Sequence, residues 1–323
     1  MALALIVRVL FGAVLALSAG ISEGETYPAR SVRLVVPFPP SGGTDLLGRL
    51  VAQKLGEQLK QTFVVDNRGG AAGTLGAQIV AKAPTDGYTL LFASASFAIS
   101  ASYYKSLPYD SLRDFAAVGL VASQPLALIV HPSVRAQTVR ELIALARAEP
   151  DKLNFASSSA GSITHLAAEL LKSMTGTRML HVPYKGAAPA TTAVLMGEAQ
   201  LFFAPLGPSL GHIRAGRIRA LGLGSAKRST IMPELSTIAE AGVPGYEADT
   251  WYGLLAPAGS SKGVIAALNR GISAGLKDAD VLERLGALGF DAAVSAPEDF
   301  AAYVRSEIHK WGETMKQAGM RPS

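Results

Sequence analysis

No cysteine occurs in the 323 residues, which excludes a disulfide framework, a thiolate metal site, a cysteine nucleophile and lipid attachment to an N-terminal Cys. Charge is also scarce. Only 17% of residues are charged, and the excess of +5 is scattered along the chain, with no basic run that would follow a phosphate backbone. Nucleic acid is therefore not an expected partner. Beyond the first twenty residues no apolar stretch is long enough to span a bilayer, and neither an HExxH zinc motif nor a phosphate-binding P-loop is found. What is present is a chain that is 49% hydrophobic, long enough for one large or two ordinary cores, and dependent on packing alone for its stability.

Met1 to Gly20 is apolar apart from Arg8 and Ser18 and ends in the small residues Ser18-Ala19-Gly20. This predicts a signal peptide within residues 1–26 and a free periplasmic protein. An uncleaved membrane anchor is the alternative, because Arg8 is the segment's one basic residue.

The mature chain repeats one pattern. The β-rich run Val32 to Val36, the loop Pro37 to Thr44 and a helical periodicity from Asp45 to Leu59 are followed by a strand Phe63 to Val65. A Gly-rich loop Asn67 to Gly73, a helix to Ala83 and a strand Tyr88 to Phe92 complete the unit. The second copy runs as strand Leu153 to Ala156, loop Ser157 to Ser162, helix His165 to Met174, strand Met179 to Val182, loop Pro183 to Ala188, a helix to Met196 and strand Gln200 to Phe203. Each copy is βαβαβ, which predicts two α/β lobes with parallel sheets covered by helices on both faces. Leu126 to Val130 and Thr250 to Leu255 read as strands shared between lobes, placing residues 27–125 with 252–323 in one lobe and 126–251 in the other. Ser295-Ala296-Pro297-Glu298 reads as the capping box of a last helix running to Gln317.

Four loops put small residues where a strand ends and a helix begins: Ser41-Gly42-Gly43-Thr44, Gly70 to Thr74, Ser157 to Ser162 (with Ser159 and Gly161 inside it) and Lys185-Gly186-Ala187-Ala188. Free N–H groups and the positive end of a helix dipole favour an anion there. Any one such loop also serves as a plain cap or turn; two per lobe suggest a facing set. Asp45 reads as a ligand contact or a helix cap. His165 and Glu169 share a helix face but lack a third metal ligand, and Trp251 beside Tyr252 either stacks on a solute or packs at the hinge.

Gly207-Pro208-Ser209-Leu210-Gly211 matches the G-x-S-x-G nucleophile pattern, and Asp249 or Asp291 followed by His309 would complete a hydrolase order. The helix that should carry the elbow is cut short by Gly216. Gly70, Gly73 and Gly76 are spaced G-x-x-G-x-x-G, which is not the dinucleotide spacing. No cofactor is expected.

Val36-Pro37-Phe38-Pro39-Pro40-Ser41-Gly42-Gly43-Thr44-Asp45, Asp66-Asn67-Arg68 with Gly73, Pro84-Thr85-Asp86-Gly87-Tyr88, Ser157 to His165-Leu166, Val182-Pro183-Tyr184-Lys185-Gly186 and Trp251-Tyr252-Gly253 together resemble the Bug family, the periplasmic substrate-binding proteins of tripartite tricarboxylate transporters. The resemblance implies a type II periplasmic-binding fold, a non-catalytic and monomeric solute receptor, and a membrane permease as partner. It also implies capture of a carboxylate by Phe38 to Asp45, Gly73-Thr74, Ala93-Ser94 and Ser157 to His165. Ser41 and Ser159 stand where that family usually has Gly. Ala204-Pro205 replaces an acidic residue of many members, which points away from an amino-acid ligand and towards a mono- or dicarboxylate, an aromatic one included. A pure sensor of the same ligand is a further reading.

Overall fold

The computed structural model describes residues 27–40 and 43–320. The expected signal peptide lies outside the described residues, as do Ser41 and Gly42 of the first loop.

The first sheet is built from β1 (Val32–Val36), β2 (Phe63–Asn67), β3 (Thr89–Ser94), β4 (Phe115–Gln124), β10 (Thr250–Pro257) and the short β11 (Asp291–Ala292), in the order β11-β4-β10-β3-β1-β2. β1 pairs in parallel with both β2 and β3. Val32, Leu34, Val35 and Val36 are fully buried. A near-continuous apolar run of this kind belongs to a strand covered on both faces. The cover comes from α1 (Gly43–Leu59), α2 (Thr74–Ala81) and α3 (Ala95–Tyr103), with α8 (Lys262–Gly275), α9 (Ala279–Leu288) and α10 (Pro297–Gln317) from the tail.

The second sheet contains β5 (Leu126–Val130), β6 (Asn154–Ser157), β7 (Leu180–Pro183), β8 (Leu201–Pro205) and β9 (Arg219–Leu223), ordered β7-β6-β8-β5-β9. Its helices are α4 (Val139–Ala148), α5 (Ile163–Thr175), α6 (Ala187–Leu195) and α7 (Leu206–Arg214). In each sheet, the strand that follows a crossing runs antiparallel: β10 against β3 and β4, and β5 against β8 and β9.

Neither crossing strand is shared between the sheets, contrary to the sequence expectation. β5 pairs only within the second sheet and β10 only within the first. The chain changes sheet at Pro125, which has no N–H to offer a ladder. It returns at Asp249, between Ala248, whose N–H reaches Gly224 O at 2.7 Å, and Thr250, which is paired with Gln124.

The last helix also differs at its start. Its N-cap is Ala296 with Pro297 in the first turn, while Ser295 Oγ accepts the Leu120 N–H at 3.1 Å. Ser295 therefore satisfies an amide of β4 instead of closing a capping box. α10 spans the two sheets: Phe300 and Trp311 pack with Trp251 in one buried cluster that holds Val35 and Leu91 of the first sheet and Leu128 and Phe155 of the second.

Candidate ligand-binding site

A cavity of about 500 Å³ is lined by residues of both sheets. Among the described residues no charged side chain lines it. Instead, six helices begin there: Thr44 lies in the first turn of α1, Ala72 just before α2, Ala95 and Ala187 open α3 and α6, Thr164 is in the first turn of α5, and Pro205 precedes α7. This follows from topology. In a parallel sheet the loops at the carboxyl ends of the strands lead into helices, so their N-termini face one crevice. The first N–H groups of each helix have no partner within it, and the macrodipole adds partial positive charge.

Hydroxyls and the Gln124 amide supply the rest of the polar lining. Ser94 Oγ and Ser96 Oγ are 2.9 Å apart, and Tyr252 OH lies 3.4 Å from Gln124 Oε1. Burial pushes the Tyr252 hydroxyl up to about 12, against a smaller lowering from Thr44, so it remains a proton donor through the physiological range.

The first loop is held from behind. Asn67 Nδ2 donates to Phe38 O at 3.0 Å and to Asp45 Oδ1 at 2.9 Å, and Arg49 Nε donates to Asp45 Oδ2 at 3.0 Å. Asp45 is buried and does not line the cavity; it lies inside the first turn of α1 and anchors the loop. Gly73 has φ +97°, and a Cβ there would sit 3.7 Å from the Phe38 ring. Ala71 and Ala72 also adopt left-handed backbone, φ 47° and 54°, which costs non-glycine residues about 1–2 kcal/mol each. The glycines on either side drew attention in the sequence, but the strained alanine is the one at the cavity.

The second loop rests on a stack of rings. Ser157 is fully buried; its Oγ donates to Ser159 O at 3.0 Å and lies 2.6 Å from His181 Nε2. His165 stacks on His181 with centroids 3.7 Å apart, and His165 Nδ1 accepts the Gly161 N–H at 3.1 Å. Burial first, and the neighbouring His165 next, lower His181 to about 4, so its ring is neutral at physiological pH. Glu169 is paired with Lys172 at 2.7 Å. Ser157 and His165 thus shape the loop, while Ser158, Ser159, Gly161 and Ser162 meet the cavity.

Of the residues expected at the site, Phe38, Thr44, Ser94, Ser159, Gly161 and Ser162 line this cavity. Strand alternation explains several that do not. Ala93 and Ala204 are buried in the strands, and their neighbours Ser94 and Pro205 face the cavity. Trp251 is turned away likewise: it is fully buried and its Nε1 donates to Glu307 at 3.0 Å, while Thr250 and Tyr252 line the cavity. Thr74 is buried at the start of α2, and Pro39 and Lys185 are exposed. Tyr184 is half-buried, and the Gly186 N–H donates to Ser158 O at 2.8 Å, bringing Ala187 to the cavity. The face of α3 carrying Ile99, Ser100 and Tyr103 was not anticipated, although the spacing of Ala95, Ile99 and Tyr103 was there to be read.

The G-x-S-x-G segment has a packing explanation. Ser209 is the fourth residue of α7 and is 1% exposed, not poised on a strand-to-helix turn. Gly207 is needed because a Cβ there would lie 2.6 Å from Gly289 Cα. Asp291 accepts from Ser229 Oγ at 2.7 Å and from the Thr230 N–H, not from a histidine. Gly76 lies against Pro37, where a Cβ would approach to 2.8 Å, so it too is a packing glycine.

The model of the tripartite tricarboxylate transporter family receptor matches residues 47–320. Protein BugT of Bordetella pertussis is 36% identical over 301 residues, covering 93% of this chain and 92% of its own length. Among solved structures, a Rhodopseudomonas palustris protein, Rpa4515 with adipate, is 38% identical with a TM-score of 0.78 and covers 92% of this chain and 100% of that one. MatC of the same organism with bound malate is 30% identical with a TM-score of 0.73, over 89% and 99% of the two chains.

Proposed function

Since the chain belongs to the tripartite tricarboxylate transporter family of solute-binding receptors, we propose that it captures a small organic carboxylate in the periplasm and delivers it to a membrane permease of that transporter class. The observation that carries the reading is the meeting of six helix N-termini at one cavity that no charged side chain lines among the described residues. Such a site attracts an anion by oriented backbone dipoles and offers no acidic group to an ammonium. The hydroxyls of Ser94, Thr164 and Tyr252 supply donors around it. Residues 27–125 with 250–323 form one lobe and 126–249 the other, hinged at Pro125 and Asp249, the second boundary moving from the sequence expectation because β10 already pairs in the first sheet from Thr250. Only the closed arrangement lets donors of both lobes reach one ligand, so binding shifts the population towards it. No described helix is long and apolar enough to cross a membrane.

The test is calorimetric titration with a panel of mono- and dicarboxylates, set against Ala160→Asp. Ala160 lines the cavity and is exposed on its loop, so the added carboxylate spares the core but repels an anion. Binding of a panel member should weaken more than tenfold in the variant. Affinity retained within a factor of two, with circular dichroism unchanged, would place the ligand elsewhere.

A further inference from the structure

Resting on that reading of the cavity, we propose that the ligand is a monocarboxylate whose remainder is an apolar body, aryl or alkyl, gripped along α3, and that Ile99 and Tyr103 select it. α3 starts at the strand end where the anion is held and then forms one wall of the cavity. Residues four apart share a helix face, so Ala95, Ile99 and Tyr103 make one stripe and Ser96 and Ser100 the next, with Tyr104 just past the helix end; all line the cavity. Phe97 and Ala98 on the other side are buried in the core. From Ala95 to Tyr103 the wall runs about 12 Å at 1.5 Å per residue, well beyond the reach of one carboxylate.

The facing wall comes from the other lobe, with Gly161, Ile163 and Leu126 at the β4–β5 crossing. Tyr103 touches it directly: a Cβ at Gly161, which has φ +73°, would overlap the Tyr103 ring. The ring therefore lies on the backbone of the second loop and closes that side of the cavity, braced edge-to-face by Tyr104 at 5.3 Å.

A second carboxylate laid along this wall would lose its hydration against Ile99 and two rings. Among the described residues no cation lines the cavity to compensate, and the α3 dipole fades beyond its first turn. An alkyl chain or ring there instead leaves water for apolar surface. Ser100 and Tyr104 on the hydroxyl stripe can bond an uncharged substituent.

Two matched pairs test this by calorimetry: hexanoate against adipate, and 4-methylbenzoate against benzene-1,4-dicarboxylate. The acids released from freshly purified, denatured protein are identified in parallel by mass spectrometry. The monoacid should bind at least tenfold more tightly than its diacid in one pair or the other, or the released acid should be a monoacid with an apolar remainder. Tyr103→Ala and Ile99→Ser should each erase that preference, and Tyr103→Phe should keep it. Gly161→Ala, which displaces the ring from the opposite wall, should act like Tyr103→Ala. Diacids that bind as tightly as their partners in both pairs, or a released polyacid, overturn the inference and leave the carboxylate reading standing. No binding by any of the four and no acid released removes both.

Discussion

Replacing Asp249 by Asn should lift a stability penalty that grows with pH. Asp249 sits at the return crossing, 8% exposed, and its Oδ1 has no hydrogen-bond partner among the described residues. Glu307, which also bears on it, is already committed: it accepts from the indole N–H groups of Trp251 and Trp311 at 3.0 and 2.9 Å and pairs with Lys310. Burial, then the charges of Glu247 and Glu307, raise the Asp249 carboxyl from 3.8 to about 7, with Lys310 opposing. Below about pH 4 folded and unfolded chains both hold the proton. Between pH 4 and 7 the unfolded chain ionises while the folded one does not, so stability falls as pH rises, and the loss is complete above pH 7. A raise of about three pK units at 1.36 kcal/mol each is a penalty of roughly 4 kcal/mol. Asn resembles the protonated acid in shape and charge. The variant should therefore match the wild type near pH 4 and exceed it at pH 8, by about 8 °C or more at the ~2–4 °C per kcal/mol usual for chains approaching this size. Thermal unfolding followed by circular dichroism from pH 4 to 8 is the measurement. A Tm difference that stays flat with pH, or a variant less stable than wild type at pH 8, would refute the reasoning.

Two further outcomes are expected. Gly207→Ala should destabilise the protein by about 1–3 kcal/mol in urea unfolding, because the new Cβ meets the Gly289 backbone with nowhere to go; an unchanged midpoint would mean that the α7 start and the Gly289 turn are not in contact. A fluorophosphonate probe should leave the folded protein unlabelled, since Ser209 is buried within α7. Stoichiometric labelling that disappears in Ser209→Ala would reveal a hydrolase instead.

The two βαβαβ units were legible because their signals are local. β1 was read to the residue as Val32–Val36, and α1 was read as Asp45 to Leu59 against an observed Gly43–Leu59. The capping box at Ser295 misled because a serine hydroxyl can satisfy a distant amide as well as a helix start, and the Leu120 N–H is remote in sequence. Two shared strands were expected because an apolar run says nothing of its pairing partners; Pro125 decided the first crossing by its missing N–H. The α3 wall escaped notice because each of its residues, read alone, is an ordinary core or cap residue.

By itself the sequence determined the alternation of short apolar strands with helices, the absence of cysteine chemistry, and loops of small residues at strand ends, since each depends on composition and on periodicities within a few residues. Only the tertiary structure decided which side of each strand end faces the cavity. That choice turned Trp251 inward to Glu307 and left Thr250 and Tyr252 at the cavity, and it placed Tyr103 of α3 on Gly161 of the loop before α5. The physical reason is that side-chain direction in a strand has period two, and the sign of that alternation is set by what packs on each face of the sheet.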